Sequence, residues 1–444
     1  MKRYLAFLAV LLLILGLIAC ADGEQEDVTT SPDPSLTDGP SGTSGLPTLR
    51  IGALFTLSGD GAAIGESQRN AMHLWLDERD WQIGPYQIIL NYRDDQSSAE
   101  TAVAGTQELV ETGADLLFGG HLIAVCRAIG EIAIISGVPY IIPATTGDDM
   151  TQRGRNDLLI RTGGSSSQAT HPFGYWAHSM HGIQTVGIIA ADSTFAHESV
   201  AGFMRTFEES GGEVLGVPVW VPANVSHFVS FLDQVPREAE ALFIQFEGAD
   251  TKRVLEAVRD MDWERGDELI ILAGWARTDE LILADLNPSA AIGSYFASPW
   301  LPTDARAAAF AQAFESRFGQ VPRFHAMEAY AALDILEAAI LEADGFADNF
   351  EAFLQAIRNI EFVSPKGILT IDEWNNVVQD IHIRQVPPDG TLRNTPVHTF
   401  SAVSQFWRYD PEEFLALPVY DRSFNTEVHN RLLDDMRLYP DEDS

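Results

Sequence analysis

The chain has 444 residues, too long for one ordinary domain and enough for two or three. Its 64 acidic and 28 basic residues leave a formal net charge of −36, a surface that repels phosphate backbones and so excludes nucleic acid as a partner. Hydrophobic residues at 46% are enough for a buried core, and two cysteines, Cys20 and Cys126, are too few for a disulfide-stapled scaffold.

Lys2 and Arg3 form a positive start, followed by the apolar run Leu5 to Ile18, the length of a signal segment and short for a spanning helix. The run closes on Leu17-Ile18-Ala19-Cys20. A small residue before a cysteine at that place reads as a lipidation signal, so residues 1–20 are expected to be a lipoprotein signal peptide with Cys20 as the lipidated first mature residue. Residues 21–47 are rich in Ser, Thr, Pro, Gly and acid and lack hydrophobic periodicity, which predicts a flexible tether. An exported chain meets little ATP or NAD, which bears on the chemistry open to it.

From residue 48 strand and helix patterns alternate. LRIGALFTL, YQIILNYRD, ADLLFGG and VPYIIPA read as buried strands. RNAMHLWLDERD, SSAETAVAGTQELVETG and AVCRAIGEIAIISG read as the helices between them. Ser97 with Glu100 predicts a capping box, and Gly113 and Gly137 predict helix ends. After the polar stretch 163–168 the pattern restarts with strands TVGIIAAD, EVLGVPVWV, EALFIQFEG and ELIILAGWA. The helices of this second half are ESVAGFMRTFEESGG, SHFVSFLDQV and DTKRVLEAVRDM. IGSYFASP reads as a further strand. Helices follow at DARAAAFAQAFESRFG, HAMEAYAALDILEAAILEADG and FEAFLQAIRN, then strands at GILTID and VVQDIHIRQV. Strand–helix alternation of this kind predicts parallel sheets covered by helices. Residues 405–444 are acidic and aromatic and stay unassigned.

Motifs for catalysis or cofactors are weak. Gly59, Gly61 and Gly65 follow a strand and open a helix, with Asp94 and Asp95 ending the next strand, but the glycine spacing departs from a dinucleotide fingerprint. No His-x-x-x-His or Cys-x-x-Cys spacing occurs, and His178 with His181 is a lone pair on a helix pattern, so no metal is expected. No Gly-x-Ser-x-Gly elbow is present, and Ser364-Pro-Lys366 is not Ser-x-x-Lys. Cys126 reads as a small buried residue. No catalytic residue and no cofactor is expected.

Several segments in fixed order carry a family likeness. They are IGALFTLSGDGAAIGESQRNAMHLWLDE, DDQSSAETAVAGTQELVETGADLLFGG, VPYIIPATTGDDMTQRGRNDLLIRTGGSSSQ, GWARTDELI, FGQVPRFHAMEAYAALDILEAAI and GILTID. Over about residues 48–400 the chain resembles the type 1 periplasmic binding proteins, the solute receptors of ABC importers, in the branch that binds branched-chain and related amino acids. The resemblance implies an α/β fold of two Rossmann-like lobes with parallel sheets, joined by a three-crossover hinge. Lobe one would be 48–164 plus 298–378 and lobe two 165–297 plus 379–404, with crossovers near Arg161–Gly164, Ser298–Pro299 and Gln379–Asp380.

The same resemblance implies a ligand site. Ala144 and Thr146 fall where the family holds a carboxylate through backbone and hydroxyl, with Thr145 between them on the same side of the site, and Ala124 falls where the family commonly has a serine that also grips the carboxylate. Phe195 and Glu247 match cleft positions of lobe two, and His325 matches a lid position. Tyr330 matches a tyrosine opening the next helix and reads as packing. The family's acidic anchor for an α-ammonium falls at Ala276, between Trp275 and Arg277, so either Glu247 replaces it or the ligand lacks an ammonium. The expected protein is a monomeric, lipid-anchored solute-binding component of an ABC importer, which delivers a small amino-acid-like, carboxylate or amide solute to a membrane permease. The alternatives are a ligand-sensing lipoprotein for a membrane receptor and an exported enzyme. An enzyme would need a nucleophile–base pair or metal cluster that the sequence does not offer.

Overall fold

The computed structural model describes residues 37–38, 45–59, 61–225, 227–261, 263, 268–274, 291–301, 305–346, 349–387 and 395–416. The first half builds one sheet. Its strands are β1 (Thr37–Asp38), β2 (Thr48–Phe55), β3 (Gln82–Ile83), β4 (Tyr86–Asp94), β5 (Leu116–Gly119), β6 (Tyr140–Ile142) and β7 (Leu159–Arg161). Between them run α1 (Ala62–Asp77), α2 (Ala99–Glu111) and α3 (Ile123–Ser136). The order is β1-β4-β2-β5-β6-β7, and β4, β2, β5, β6 and β7 are mutually parallel. Burial on both faces explains why these strands are continuous apolar runs rather than alternating ones. Leu54, Leu117, Ile142, Leu109, Val125 and Ile129 form one side of its core.

The second half repeats the plan. α4 (Thr170–Tyr175), β8 (Thr185–Ala191), α5 (Thr194–Glu209), β9 (Glu213–Val214), β10 (Val219–Val221), α6 (Val229–Leu232), β11 (Ala241–Gln245), α7 (Gly248–Arg259), β12 (Ile270–Ala273) and β13 (Tyr295–Ser298) follow. Strands β10-β8-β11-β12-β13 are parallel. α5 shows how sequence fixes a face: Phe195, Ser199, Phe203 and Phe207 bury one stripe at helical spacing. The core of this half centres on Ile189, Leu242, Ile244, Val254 and Phe296.

The remaining elements knit the halves together: α8 (Ala305–Phe318), α9 (Phe324–Glu342), α10 (Phe350–Asn359), β14 (Phe362–Ser364), β15 (Gly367–Ile371), β16 (Val377–Gln385), β17 (Thr395–Val403) and α11 (Pro411–Ala416). α9 returns to the first sheet's layer and locks onto α1. The Trp75 indole N–H donates to Asp334 at 2.7 Å, and Arg79 bonds Glu337 at 3.1 Å and Asp334 at 3.3 Å. β16 spans the junction. Its first residues pair with β15 (Ile371↔Val377 to Leu369↔Gln379) and its last with β13 (Ser298↔His382 to Tyr295↔Gln385). The chain leaves the first sheet between β7 and α4, and β14 to β17 all join the second sheet through β16, next to whose start Asn376 bridges back to Arg161 of β7. It is a mixed α/β fold of two mostly parallel sheets.

Local departures have local causes. The cap of α2 is Ser98, not Ser97: its hydroxyl accepts from Thr101 N at 3.3 Å, while Ser97 sits at φ +59°. EVLGVPVWV is two short strands, since Gly216 turns left-handed at φ +69° and Pro218 offers no N–H. The helix expected over SHFVSFLDQV shrinks to four residues. β17 has no counterpart among the expected strands. Gly113 and Gly137 end their helices with positive φ as expected.

Candidate functional site

In open parallel sheets the strand C-termini and the helix starts beyond them line a crevice. In the first sheet those ends are Phe55–Thr56, Asp94–Asp95, Gly119–His121 and Ile142–Thr146. Gly65 lets α1 lie on the first of them, because a Cβ there would stand 1.9 Å from the Thr56 carbonyl oxygen. The glycines of this turn thus serve helix-to-strand contact, and Gly61 faces the His121 ring in the same way.

A buried polar chain crosses this rim. Thr56 Oγ1 donates to Asp95 Oδ1 at 2.7 Å and lies 3.3 Å from His121 Nδ1. The threonine has one hydroxyl proton and the carboxylate takes it, so His121 Nδ1 is the protonated nitrogen and donates to Thr56. Burial raises the Asp95 carboxyl above the usual range, and its neighbour Asp94 adds to that. The ring centroid of His325, at the start of α9, stands 6.1 Å from that of His121, and both residues are buried. Buried side-chain oxygens near these strand ends, Gln68 Oε1, Asp95 Oδ2 and Ser97 Oγ among them, have no hydrogen-bond partner among the described residues, and Thr145 Oγ1 has only the weak Cys126 thiol beside it. Such atoms are costly unless a ligand or water meets them.

Ala144 and Thr145 are buried, and Thr146 is half-buried with its carbonyl accepting from Ser166 N at 2.7 Å and Ser166 Oγ at 2.9 Å. Ala124 is exposed on the first turn of α3, whose N-cap, Leu122, supplies no side-chain acceptor. The first N–H groups of α3 are left to a ligand or solvent.

On the second sheet's side Phe195 is buried in the first turn of α5. That turn is held by Ser193 accepting from Ala196 N and by His197, which bonds Asp192 at 2.9 Å and stacks on Trp220 at 3.6 Å. Glu247 is the half-buried N-cap residue of α7. Trp275, Ala276 and Arg277, like Cys20, lie outside the described residues. Tyr330 packs on Phe310 at 5.0 Å with its hydroxyl on Glu78, away from these groups.

The two rims meet at a contact the sequence reading missed. Asp148 N, two residues beyond Thr146, donates to Glu198 Oε2 at 3.2 Å, and Ser199 Oγ donates to Ser166 O at 3.2 Å. Burial and the facing Asp148 hold the Glu198 carboxyl well above its usual range. Asp148 is itself raised by burial, against the pull of Arg161. No local signal marked Glu198, because its role exists only once α5 sits against the 144–148 loop.

Arg161, at the end of β7, is fully buried beneath this loop. It donates from Nε to Asn376 Oδ1 at 2.6 Å, from Nη1 to Gly147 O at 2.5 Å and from Nη2 to Thr151 Oγ1 at 2.5 Å. Burial lowers its pKa to about 10, so it stays charged at neutral pH. The Cys126 thiol is pushed up to about 12 by burial and is inert packing. His178 bonds the Ile183 carbonyl, and His181 stacks on Trp176 and meets Tyr295 edge-on. Among the described residues no group of His, Cys, Asp and Glu could hold a metal, and no helix is long and apolar enough to cross a membrane.

The sequence pattern of the periplasmic binding protein family matches residues 48–391. The Leu/Ile/Val-binding protein homolog 6 of Brucella melitensis is 23% identical over 367 residues, 79% of this chain and 91% of that protein. An ABC transporter substrate-binding protein from Sphaerobacter thermophilus superposes with a TM-score of 0.75 at 26% identity, over 81% of this chain and 99% of that one. A solute binding protein of an ABC transporter from Rhodopseudomonas palustris BisB5, solved in complex with 3,4-dihydroxy benzoic acid, gives 0.72 at 24% identity, over 81% and 98%.

Proposed function

The chain belongs to the periplasmic binding protein family, and from that premise we propose that it captures a small carboxylate-bearing solute between two lobes and passes it to an ABC permease. The lobes are residues 48–164 plus 298–378 and 165–297 plus 379–404. A lipid on Cys20 keeps the protein at the membrane and residues 21–47 act as its tether. It works as a monomer, with no bond made or broken.

The observation that carries this reading is Thr145 Oγ1, buried just beyond β6 with no nitrogen or oxygen partner among the described residues and only the weak Cys126 thiol beside it. A carboxylate there accepts from that hydroxyl and from backbone N–H groups of the 144–146 turn and of the uncapped start of α3. Phe195 on the opposite rim supplies an apolar wall. Contacts made across the rims, such as Asp148 to Glu198, favour the closed form once solute fills the space. The BisB5 protein's aromatic acid has a carboxylate and no ammonium, which supports the same class of solute here.

A thermal-shift screen against aromatic acids, short carboxylates, amino acids and amides tests the proposal. Solute at about 100 times its dissociation constant adds roughly 2.7 kcal/mol to stability. Stabilisation by aromatic or aliphatic carboxylates, unchanged in Glu247→Gln, fixes the class. Stabilisation by α-amino acids that Glu247→Gln abolishes makes Glu247 the ammonium anchor. No shift with any carboxylate refutes the proposal.

A further inference from the structure

The family match ends at residue 391, but the ordered fold does not. Residues 404–416 leave β17 and fold back over the junction. Gln405, wholly buried, accepts from Thr151 Oγ1 at 2.9 Å and from Arg161 Nη2 at 3.3 Å. Those two groups sit directly under the 144–148 loop, since Arg161 Nη1 also holds the Gly147 carbonyl. Further along, the Tyr409 hydroxyl bonds Glu209 Oε2 at 2.5 Å, and the Arg205 guanidinium lies 4.6 Å from the Phe414 ring. Both partners are on α5, the helix that carries Phe195 and Glu198. Between these ends Phe406 packs on Trp374 at 5.3 Å. One segment therefore grips the support of one rim and the helix of the other.

We propose that residues 404–416 are a positioning arm for the solute site, in which Gln405 sets the 144–148 loop through Thr151 and Arg161 while Tyr409 anchors the arm to α5. The inference rests on the proposed solute site, but the arm acts on the loop whether or not solute is present. Gln405 touches no solute and is a positioning residue. The geometry points to it because, among the described residues, the hydrogen-bond acceptors on the Arg161 guanidinium are neutral, and Gln405 both receives one of its N–H groups and orients the Thr151 hydroxyl that receives another.

Hydrogen–deuterium exchange on the full chain tests this. Gln405→Ala is expected to speed exchange in peptides covering 147–154 by roughly tenfold, the scale of one lost hydrogen bond to a charged group, while β8 at 185–191 keeps its protection. Gln405→Glu, which retains the acceptor oxygen, is expected to restore it. With 3,4-dihydroxybenzoate and L-leucine as probes, whichever binds the parent protein is expected to bind Gln405→Ala severalfold more weakly. Unchanged exchange at 147–154, or equal acceleration in β8, overturns the arm. Should neither probe bind the parent, the affinity comparison falls with the solute reading and the exchange comparison still decides the arm. If Gln405→Ala does not fold, Tyr409→Phe releases the other end, and unchanged exchange at 147–154 in that variant overturns the proposal.

Discussion

Replacing Thr145 with Val separates a binding role from a folding role, because the two predict opposite signs. The side chain is fully buried and among the described residues its hydroxyl meets only the weak Cys126 thiol. Valine keeps the shape and removes the hydroxyl. The solute-free protein then loses an unsatisfied polar group whose burial costs about 1–3 kcal/mol, so its melting temperature is expected to hold or rise by a few degrees. With solute present the balance reverses: a hydrogen bond to a carboxylate contributes about 1.5–3 kcal/mol, so affinity is expected to fall roughly 10- to 150-fold. Thr145→Ser keeps the hydroxyl and is expected to bind near the parent level. Differential scanning fluorimetry of the solute-free proteins and titration calorimetry with the solute found in the screen read the two effects separately. A Thr145→Val protein that melts well below the parent yet binds equally well would show that the hydroxyl serves the fold and that the carboxylate sits elsewhere.

Arg161→Met leaves Asn376 Oδ1, Gly147 O and Thr151 Oγ1 without their donor in a dry interior, and a loss of about 1–3 kcal/mol for each acceptor left unmet is expected by chemical denaturation. Gly65→Ala puts a methyl 1.9 Å from the Thr56 carbonyl, and the displaced α1 is expected to cost about 1–3 kcal/mol, with the Asp95–Thr56–His121 chain disturbed. Burial raises Glu209 to about 7, with Tyr409 pulling the other way. A carboxyl whose folded value lies above its unfolded one contributes stability at low pH that is lost as pH rises from about 4.5 to 7, here on the order of 3 kcal/mol. Glu209→Gln is expected to flatten that part of the stability-versus-pH curve, and an unchanged slope refutes the assignment.

How much of this was legible depends on the range of each interaction. The strands and helices of the two parallel layers follow from apolar runs and helical spacing, because their burial is decided within ten or so residues. β2, β4 and α5 are found where those patterns put them. β17 left no such trace. Most of its residues are exposed or half-buried, and its place is set by backbone pairing to β16 rather than by a buried face. The cap at Ser98 instead of Ser97 is the ordinary limit of a motif in which two adjacent serines compete for one helix start.

The proposed site divides along the same line. Thr145 and Phe195 lie at strand ends and helix starts, places that the fold class exposes before any contact is known. Arg161, Glu198 and Gln405 have no local mark, since each is defined by a partner far along the chain. Arg161 meets Asn376 and Gln405, Glu198 meets Asp148, and Gln405 meets Thr151. A buried arginine is expensive unless its donors are all met, so one that persists without a carboxylate in direct contact must be enclosed by acceptors from several segments. Here those segments are the loop under one rim, the β16 start and the arm that reaches α5. The interactions that hold the loop and the rims in place thus converge on a few long-range polar contacts, and the residues that make them are the ones a single sequence does not reveal.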